Sequence, residues 1–300
     1  PLIWPGPAAR TRGVCALRSN SRAISLLPVA RVGREGPVVA GHTVRKRFGQ
    51  HFLTDPNTIR RIVDAIDPKP GERVVEIGPG LGAITEPLLA RVIHLDVLEI
   101  DRDIIAALRG RHDASRLTIH EGDALDFPLD TLGSDLRVVG NLPYNISTPL
   151  LFHLGAFASH LRDGHFMLQK EVVDRMVAHA GTSEYGRLSV MLQYRFLMVK
   201  LFHVPPGCFR PPPKVDSAIV RMVPRPAGEL RALNENAFSR LVTQAFTRRR
   251  KTLRNALQGL LDETGIREAG LDAEARPETV DVDGFVSAAN VMVRREGAAG

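Results

Sequence analysis

The sequence predicts an α/β protein in which a doubly wound, mostly parallel sheet is followed by a smaller helical domain. Between residues 72 and 139, short apolar stretches of strand length alternate with segments of helical periodicity. Consecutive stretches end in a glycine or a polar residue, at Gly78, Glu99, Asp123 and Asn141. Beyond residue 226 the pattern is helical as far as residue 295. We therefore place one domain at 44–224 and a helical domain at 225–300.

The first 43 residues do not follow this pattern. They are rich in Arg, Ala, Gly, Pro and Ser and contain one acidic residue, Glu35, which is typical of a disordered or processed segment. A mitochondrial transit peptide is one interpretation. Because the sequence begins with Pro rather than Met, a fragment with upstream or tag sequence is another.

The net charge of +7 is unevenly distributed along the chain. Residues 1–47 hold nine of the 40 Arg and Lys residues and one of the 33 acidic residues, so the remainder is close to neutral. The overall charge therefore does not indicate a nucleic-acid partner, and such a function must rest on local basic clusters.

The composition is that of an ordinary globular chain, with 44% hydrophobic and 24% charged residues and no apolar run long enough to span a membrane. The two cysteines, Cys15 and Cys208, are far apart and have no metal-ligand spacing. We therefore expect no metal site, no membrane association and a reducing compartment, the cytoplasm.

The first predicted strand, 72–77, runs into a glycine loop, Gly78, Gly80 and Gly82, before a helix at 83–89. Glycines allow the backbone to approach a ligand, and the first turn of a helix offers free amide groups. The loop is one residue shorter than the G-x-G-x-x-G loop that binds a pyrophosphate. This favours a ligand that has ribose and adenine but no phosphate.

The strands predicted at 93–98, 117–120 and 136–139 end at the same edge of the sheet, where open α/β sheets bind ligands. Glu99 lies 21 positions after Gly78, the spacing of an acid that binds ribose hydroxyls. Asp123 places a second acid there, suited to the adenine amine. S-adenosylmethionine fits this set, and an NAD enzyme with an irregular loop is a weaker alternative.

The segment 141–144, Asn-Leu-Pro-Tyr, predicts a site for a flipped base. The side-chain oxygen of Asn141 and the carbonyl of Leu142, held extended by Pro143, can both accept from one amino group. Tyr144 can stack on the base. The alternative is a strand that enters a turn with a packed tyrosine.

Nine segments together resemble the KsgA/Dim family of small-subunit ribosomal RNA adenine dimethyltransferases. They are RKRFGQHFL (45–53), VEIGPGLGAIT (75–85), LEIDRD (98–103), GDAL (122–125), NLPYNISTPL (141–150), LQKEVVDRM (168–176), YGRLSVMLQY (185–194), VPPGCFRPPPKVDSAIV (204–220) and FTRRRKTLRNAL (246–257). The resemblance implies a Rossmann-like class I methyltransferase domain. It also implies dimethylation, with S-adenosylmethionine, of two adjacent adenosines near the 3′ end of small-subunit rRNA.

The resemblance further implies the residues that hold the cofactor, which are His51, Leu53, Gly78, Glu99, Asp123 and Asn141. Many relatives have Asn where His51 stands, which leaves a side-chain role there open. The implied partner is the immature small ribosomal subunit, and we expect a monomer. A DNA adenine methyltransferase and a non-catalytic ribosome-assembly or transcription factor remain as alternatives. Leu142, which stands where DNA adenine methyltransferases have a proline, disfavours the first alternative. The presence of Glu99, Asp123 and Asn141 disfavours the second.

The second half of the chain predicts helices at 169–177 and 186–196, a proline-rich connection and a strand at 215–223 in an antiparallel hairpin. By resemblance, the connection and its Phe209 wall the target-base pocket. A basic amphipathic helix over 248–260 would present RNA-binding side chains, namely Arg248, Arg249, Lys251 and Arg254, because no acid lies between 248 and 258. The alternative is an ordinary solvated charged face.

Overall fold

The computed structural model describes Val38–Val39, His42–Thr43 and residues 51–298. The predicted extension, residues 1–43, and the basic residues 45–47 lie outside these ranges apart from the two short strands. The described strands are β1 (Val38–Val39), β2 (His42–Thr43), β3 (Phe52–Leu53), β4 (Arg73–Ile77), β5 (Leu95–Glu99), β6 (Leu117–Glu121), β7 (Leu136–Asn141), β8 (Leu161–Gln169), β9 (Phe196–Val204), β10 (Phe209–Arg210) and β11 (Ser217–Pro224).

The described α-helices are α1 (Pro56–Ile66), α2 (Thr85–Leu89), α3 (Arg102–Arg111), α4 (Ser147–Ala156), α5 (Lys170–Val177), α6 (Arg187–Arg195), α7 (Glu235–Thr247), α8 (Leu253–Ala256), α9 (Glu263–Glu268) and α10 (Val282–Ala298). In this part of the chain no helix has the length and apolarity needed to cross a membrane.

Seven strands form the central sheet in the order β6-β5-β4-β7-β8-β11-β9. The first five are mutually parallel, and β11 runs antiparallel to both β8 and β9. The doubly wound sheet and its antiparallel hairpin confirm the predicted fold class. The order reverses beside β4, which places a crevice at the carboxyl ends of β4 and β7.

Local signals in the sequence explain where several helices begin. Asp55 accepts a hydrogen bond from the Thr58 backbone nitrogen at 2.7 Å, and Pro56 occupies the first turn of α1. Asp101 caps α3 in the same way, and Asn234 caps α7. The cap at Asp101 starts α3 two residues after β5 ends at Glu99.

Two hydrophobic clusters cover the two faces of the sheet. The first contains apolar residues of α1, α2 and α3, and the second contains those of α4, α5 and α6. A third cluster joins α7 and α10 to residues that precede the predicted boundary at 225, among them Tyr185, Val190, Met191 and Tyr194. The helical domain therefore shares its core with α6.

A network of buried charges closes the opposite end of the sheet. Arg137 on β7 donates to Asp163 on β8 at 2.8 Å and to Glu72 at 2.6 Å. His165 lies beside this network, and burial lowers its pKa to about 4. These charges are paired as their burial requires, and they lie away from the crevice.

Candidate active site

A cavity of about 930 Å³ opens at the carboxyl ends of β4, β5, β6 and β7. Its lining includes each residue that the sequence predicted for catalysis or cofactor binding, namely His51, Leu53, Gly78, Glu99, Asp123, Asn141, Leu142 and Tyr144. These eight predicted residues therefore surround one cavity, and β3 adds a lid from the amino-terminal side.

The glycine loop lies against this cavity in a conformation that side chains disfavour. Gly78, Gly80 and Gly82 have φ values of 68°, 54° and 89°, in the left-handed region. A Cβ atom on Gly80 would lie 3.2 Å from the ring of Phe52. The Gly78 nitrogen donates to the Leu98 carbonyl at 2.9 Å. The loop is thus tied to β5 and brings bare backbone to the cavity.

Glu99 ends β5 with its carboxylate fixed by the backbone that follows. Its Oε1 accepts from the nitrogens of Ile100 at 2.8 Å and Asp101 at 2.9 Å. The residue is 8% exposed, and this burial raises the pKa of its carboxyl. Glu99 therefore presents a pre-oriented acceptor inside the cavity, as hydroxyl binding requires.

Glu76 is a second buried acid in the lining, and our reading of the sequence missed it. It is 1% exposed, and the Thr85 hydroxyl donates to its Oε2 at 2.7 Å. Burial first, and then the negative charge of Glu99, raise its pKa to about 7. A charged residue inside the apolar strand 72–77 was the available signal, because buried acids are rare without a partner.

Asp123 lies at the exposed side of the cavity, after β6. Its Oδ1 accepts from the Leu125 nitrogen at 2.9 Å, which turns the chain sharply. The Gly122 nitrogen donates to the Glu99 carbonyl at 3.0 Å. The two acids predicted to bind ribose and adenine are therefore linked through the backbone.

Asn141 ends β7, and its amide is oriented by the lid. The Nδ2 atom donates to the His51 carbonyl at 3.0 Å, which leaves the side-chain oxygen as the acceptor. The Leu142 nitrogen donates to the Met167 carbonyl at 3.1 Å, which ties the segment to β8. The His51 carbonyl thus orients the side-chain amide of Asn141.

Tyr144 is fixed at both its hydroxyl and its ring. The hydroxyl lies 2.6 Å from the buried Ser217 Oγ, and the ring stacks on His51 with centroids 5.6 Å apart. The His51 Nδ1 donates to the Pro211 carbonyl at 2.9 Å. The His51 side chain therefore supports Tyr144, so one face of the tyrosine ring is already covered.

The expectation for Phe209 was wrong. Phe209 pairs with Leu53 in the small β3–β10 sheet and is 0% exposed, inside the core with Phe52. It does not line the cavity. The proline-rich connection reaches the site through the Pro211 carbonyl instead, because the pairing with β3 turns the Phe209 side chain inward.

The predicted basic helix over 248–260 was also wrong. Helix α7 ends at Thr247, and α8 covers only Leu253–Ala256. The nitrogens of Leu253 and Arg254 donate to the carbonyls of Ala275 and Ala273 at 2.8 and 3.0 Å. These tertiary hydrogen bonds hold the chain in a turn where periodicity alone predicted a continuous helix.

Two of the predicted RNA-binding residues are ion-paired. Arg254 lies 3.1 Å from Glu274, and Arg249 lies 3.7 Å from Glu278 and donates to the Ser183 carbonyl. The expectation of an unneutralised cluster is therefore wrong for this pair. The acids come from segments distant in sequence, which the local count of charges did not include.

Three cations of this region have no ion pair within residues 51–298: Arg248, Arg250 and Lys251. With Arg249, they line a second cavity of about 650 Å³ that has no acidic residue in its lining. We call these three residues the basic turn. It includes Arg250, which belongs to the basic cluster of the sequence but was not among the four residues predicted to bind RNA.

Comparisons with known proteins find relatives over most of the chain. The model of the family described as ribosomal RNA adenine dimethylase matches residues 41–292. The ribosomal RNA small subunit methyltransferase A of Aromatoleum aromaticum is 62% identical over 85% of this chain and 96% of the relative. The protein of the same name from Dechloromonas aromatica is 56% identical over 84% of this chain and 99% of the relative.

Two solved structures share the fold over most of the chain. A dimethyladenosine transferase from Plasmodium falciparum has a TM-score of 0.67 and 28% identity, covering 79% of this chain and 96% of its own. The 23S rRNA methyltransferase ErmE has a TM-score of 0.61 and 26% identity, covering 81% and 99%. The chain therefore belongs to the ribosomal RNA adenine dimethylase family.

Proposed function

We propose that this protein transfers methyl groups from S-adenosylmethionine to the exocyclic amine of two adjacent adenosines near the 3′ end of small-subunit rRNA, giving N6,N6-dimethyladenosine. The observation that carries the proposal is that the acceptors at Asn141 and Leu142 and the ring of Tyr144 line one cavity with Glu99 and Asp123. Membership of the rRNA adenine dimethylase family supports the same reaction.

The residues of the cavity fit the cofactor. The glycine loop lines the cavity with backbone that has positive φ values, and Glu99 offers an oriented carboxylate to ribose hydroxyls. Asp123 faces the same space and would accept from the adenine amine. Glu76 is suited to a positively charged group. When bound, the cofactor supplies a methyl group on a positively charged sulfur.

At the target adenine, Asn141 and Leu142 act on the reacting nitrogen. The Asn141 side-chain oxygen is the free acceptor because the lid holds its Nδ2. Within residues 51–298 the Leu142 carbonyl accepts no hydrogen bond, and Pro143 keeps it extended. In the first transfer, accepting both amine protons would leave the nitrogen lone pair free to take the methyl group that the cofactor supplies. In the second transfer, the monomethylated amine would have one proton left for these acceptors. The positively charged amine then loses a proton to water.

The chain accelerates this step mainly by position and charge. Tyr144 is held by Ser217 and His51 before any base arrives, so stacking places the amine at little entropic cost. The acceptors face the nitrogen where positive charge develops, and this stabilises the transition state. A separate general base is not required, because the methylated amine is acidic enough to release its proton.

The basic turn is the site that we propose for rRNA phosphates. Arg248, Arg250 and Lys251 surround a cavity without acids, which favours an anion. The immature small subunit as substrate, a monomeric enzyme and a cytoplasmic location belong to the same proposal. The family supports a ribosomal RNA substrate, the two widely separated cysteines favour a reducing compartment, and the monomer is what the resemblance implies.

Replacing the basic turn by Gln should weaken binding to small subunits and flatten its dependence on log salt concentration by about 0.7 to 0.9 for each lost phosphate contact. Arg254→Gln is the matched control, because its charge is already neutralised by Glu274 and Glu263. If affinity fell with log salt concentration at the same slope in wild type and in the triple variant, the basic turn would not contact the RNA.

The reaction itself is tested by incubating the protein with labelled S-adenosylmethionine and unmethylated small subunits, followed by mapping of the modified bases. We expect label on two adjacent adenosines and none with Asn141→Ala. A DNA duplex in a parallel reaction tests the alternative of a DNA adenine methyltransferase. Label on DNA alone would refute the proposed substrate, and no label on either would favour the non-catalytic alternative.

A further inference from the structure

The connection between β6 and β7, residues 122–135, carries Asp123 and is held by two histidines that the reaction does not use. His153 on α4 donates from Nε2 to the Phe127 carbonyl at 2.8 Å. A carbonyl oxygen can only accept, so this nitrogen carries the proton. His120 on β6 places its ring against that of Phe127, with centroids 5.2 Å apart at 61°. Phe127 is thus fixed through its backbone and its ring.

Each histidine is itself held in place. His120 donates from Nε2 to Asp96 at 2.7 Å. The His153 ring lies edge-on to Phe157, with centroids 5.0 Å apart at 63°. Both histidines are half-buried. Because their rings are packed as well as hydrogen-bonded, the two residues restrain Phe127 more firmly than exposed side chains would.

Helix α4 connects this restraint to the target-base side of the cavity. The helix begins at Ser147, directly after the segment 141–146 that lines the cavity. The Ser147 hydroxyl donates to the Pro143 carbonyl at 2.9 Å. One rigid element therefore carries the acceptor segment at its start and His153 in its second turn.

The position of Asp123 depends on the short segment between β6 and Phe127. The Gly122 nitrogen donates to Glu99, and the Asp126 nitrogen donates to the Asp123 carbonyl at 3.1 Å. The Asp123 carboxylate bonds to the Leu125 nitrogen, so the turn moves as one unit. A shift of Phe127 is therefore transmitted to the carboxylate.

We propose that His153 is a positioning residue that holds residues 122–128 so that Asp123 meets the adenine of the cofactor. It thereby joins the cofactor-binding side of the site to the target-base side through α4. The inference rests on the proposed adenine contact of Asp123. It adds a residue that does not line the cavity.

The chain offers a matched control at the other end of the same connection. His160 follows α4 and donates from Nδ1 to the Gly133 carbonyl at 3.0 Å. It is half-buried like His153, and neither His160 nor Gly133 lines the cavity. A general loosening of the connection should affect both variants, whereas positioning of Asp123 should depend on His153.

The test compares two ligands by calorimetry: S-adenosylhomocysteine and its inosine counterpart, in which an oxygen replaces the adenine amine. The ratio of their Kd values reports the contact made by Asp123. We expect Asp123→Ala and His153→Ala to reduce this preference about three- to tenfold, the worth of one hydrogen bond. His153→Gln, which can still donate to Phe127, should keep most of it, and His160→Ala should keep all of it.

Circular dichroism checks that each variant is folded, and His153→Leu replaces His153→Ala if the alanine variant is not. A preference that falls in Asp123→Ala but stays at the wild-type value in His153→Ala overturns the inference alone. If the preference is unchanged in Asp123→Ala, Asp123 does not contact the adenine amine. That result would overturn both the proposed role of Asp123 and the inference. An equal fall in His160→Ala would indicate general loosening and would also overturn the inference.

Discussion

Cofactor binding should release a proton from Glu76. Its carboxyl is 1% exposed, and its pKa is raised to about 7 mainly by burial, so about half of the free protein carries that proton at pH 7. The cofactor brings positive charge into the same cavity, and an opposite charge favours the carboxylate. We therefore expect release of about 0.5 proton at pH 7.

The same linkage sets the size of the pH effect on affinity. Well below pH 7 most of the protein must lose the proton before it binds, so Kd should rise about tenfold for each pH unit, or about 1.4 kcal/mol. Between pH 8 and pH 5 the loss of affinity should approach about 100-fold. Burial also raises the pKa of Glu99, so Glu99 adds to the pH dependence of Kd. The contribution of Glu76 is therefore the difference between the pH profiles of wild type and Glu76→Gln.

The assay is calorimetry of cofactor binding between pH 5 and 8 in two buffers with different ionisation enthalpies. Glu76→Gln should bind more weakly at pH 8 and should have a flatter pH profile. It retains an acceptor for the Thr85 hydroxyl, so its fold should be preserved. The reasoning is refuted if wild type and variant release the same number of protons and have parallel profiles.

Three further predictions concern the site and its support. Glu99→Ala should weaken cofactor binding by about 1.5 to 3 kcal/mol in calorimetry, because two hydroxyls lose a charged acceptor; an unchanged affinity in a folded variant would exclude it from the site. Tyr144→Ala should lower turnover about 5- to 150-fold at unchanged cofactor affinity, because stacking is worth about 1 to 3 kcal/mol per base, whereas Tyr144→Phe should keep most activity; equal losses would refute the stacking role. Burial lowers the pKa of His165 from 6.5 to about 4, so between these pH values the unfolded chain binds a proton that the folded protein does not. About 3 kcal/mol of the free energy of unfolding that is present above pH 6.5 should therefore be lost as the pH falls towards 4. Urea unfolding at several pH values should show a smaller loss for His165→Gln, and identical curves would contradict the assignment.

The parallel half of the sheet and its site residues were predictable because they follow from short-range patterns. Each strand is an apolar stretch of β length, and the carboxyl ends of parallel strands meet at one edge. Glu99, Asp123 and Asn141 could therefore be placed together from their positions alone. Their orientations could not, because these depend on partners such as the His51 carbonyl, 90 positions from Asn141.

Strand β8 was missed because its sequence includes charged residues that only a folded neighbour satisfies. Asp163 is 2% exposed and looks unsuited to a buried strand until Arg137 of β7 is placed beside it. The segment 248–260 was mistaken for one helix for a similar reason, since the carbonyls of Ala273 and Ala275 accept from the nitrogens of Arg254 and Leu253. In both cases a long-range contact overrides the local preference.

The core that α6 shares with the carboxyl-terminal helices limits how this protein can be divided. The rings of Tyr194 and Phe238 lie 4.6 Å apart, and Tyr185 meets Phe246 across the same junction. A chimera joined at residue 225 would take the two rings of each pair from different parents and leave the junction with mismatched surfaces. Recombination between relatives, natural or engineered, should therefore not tolerate the proline-marked boundary as a crossover point, although the sequence changes character there.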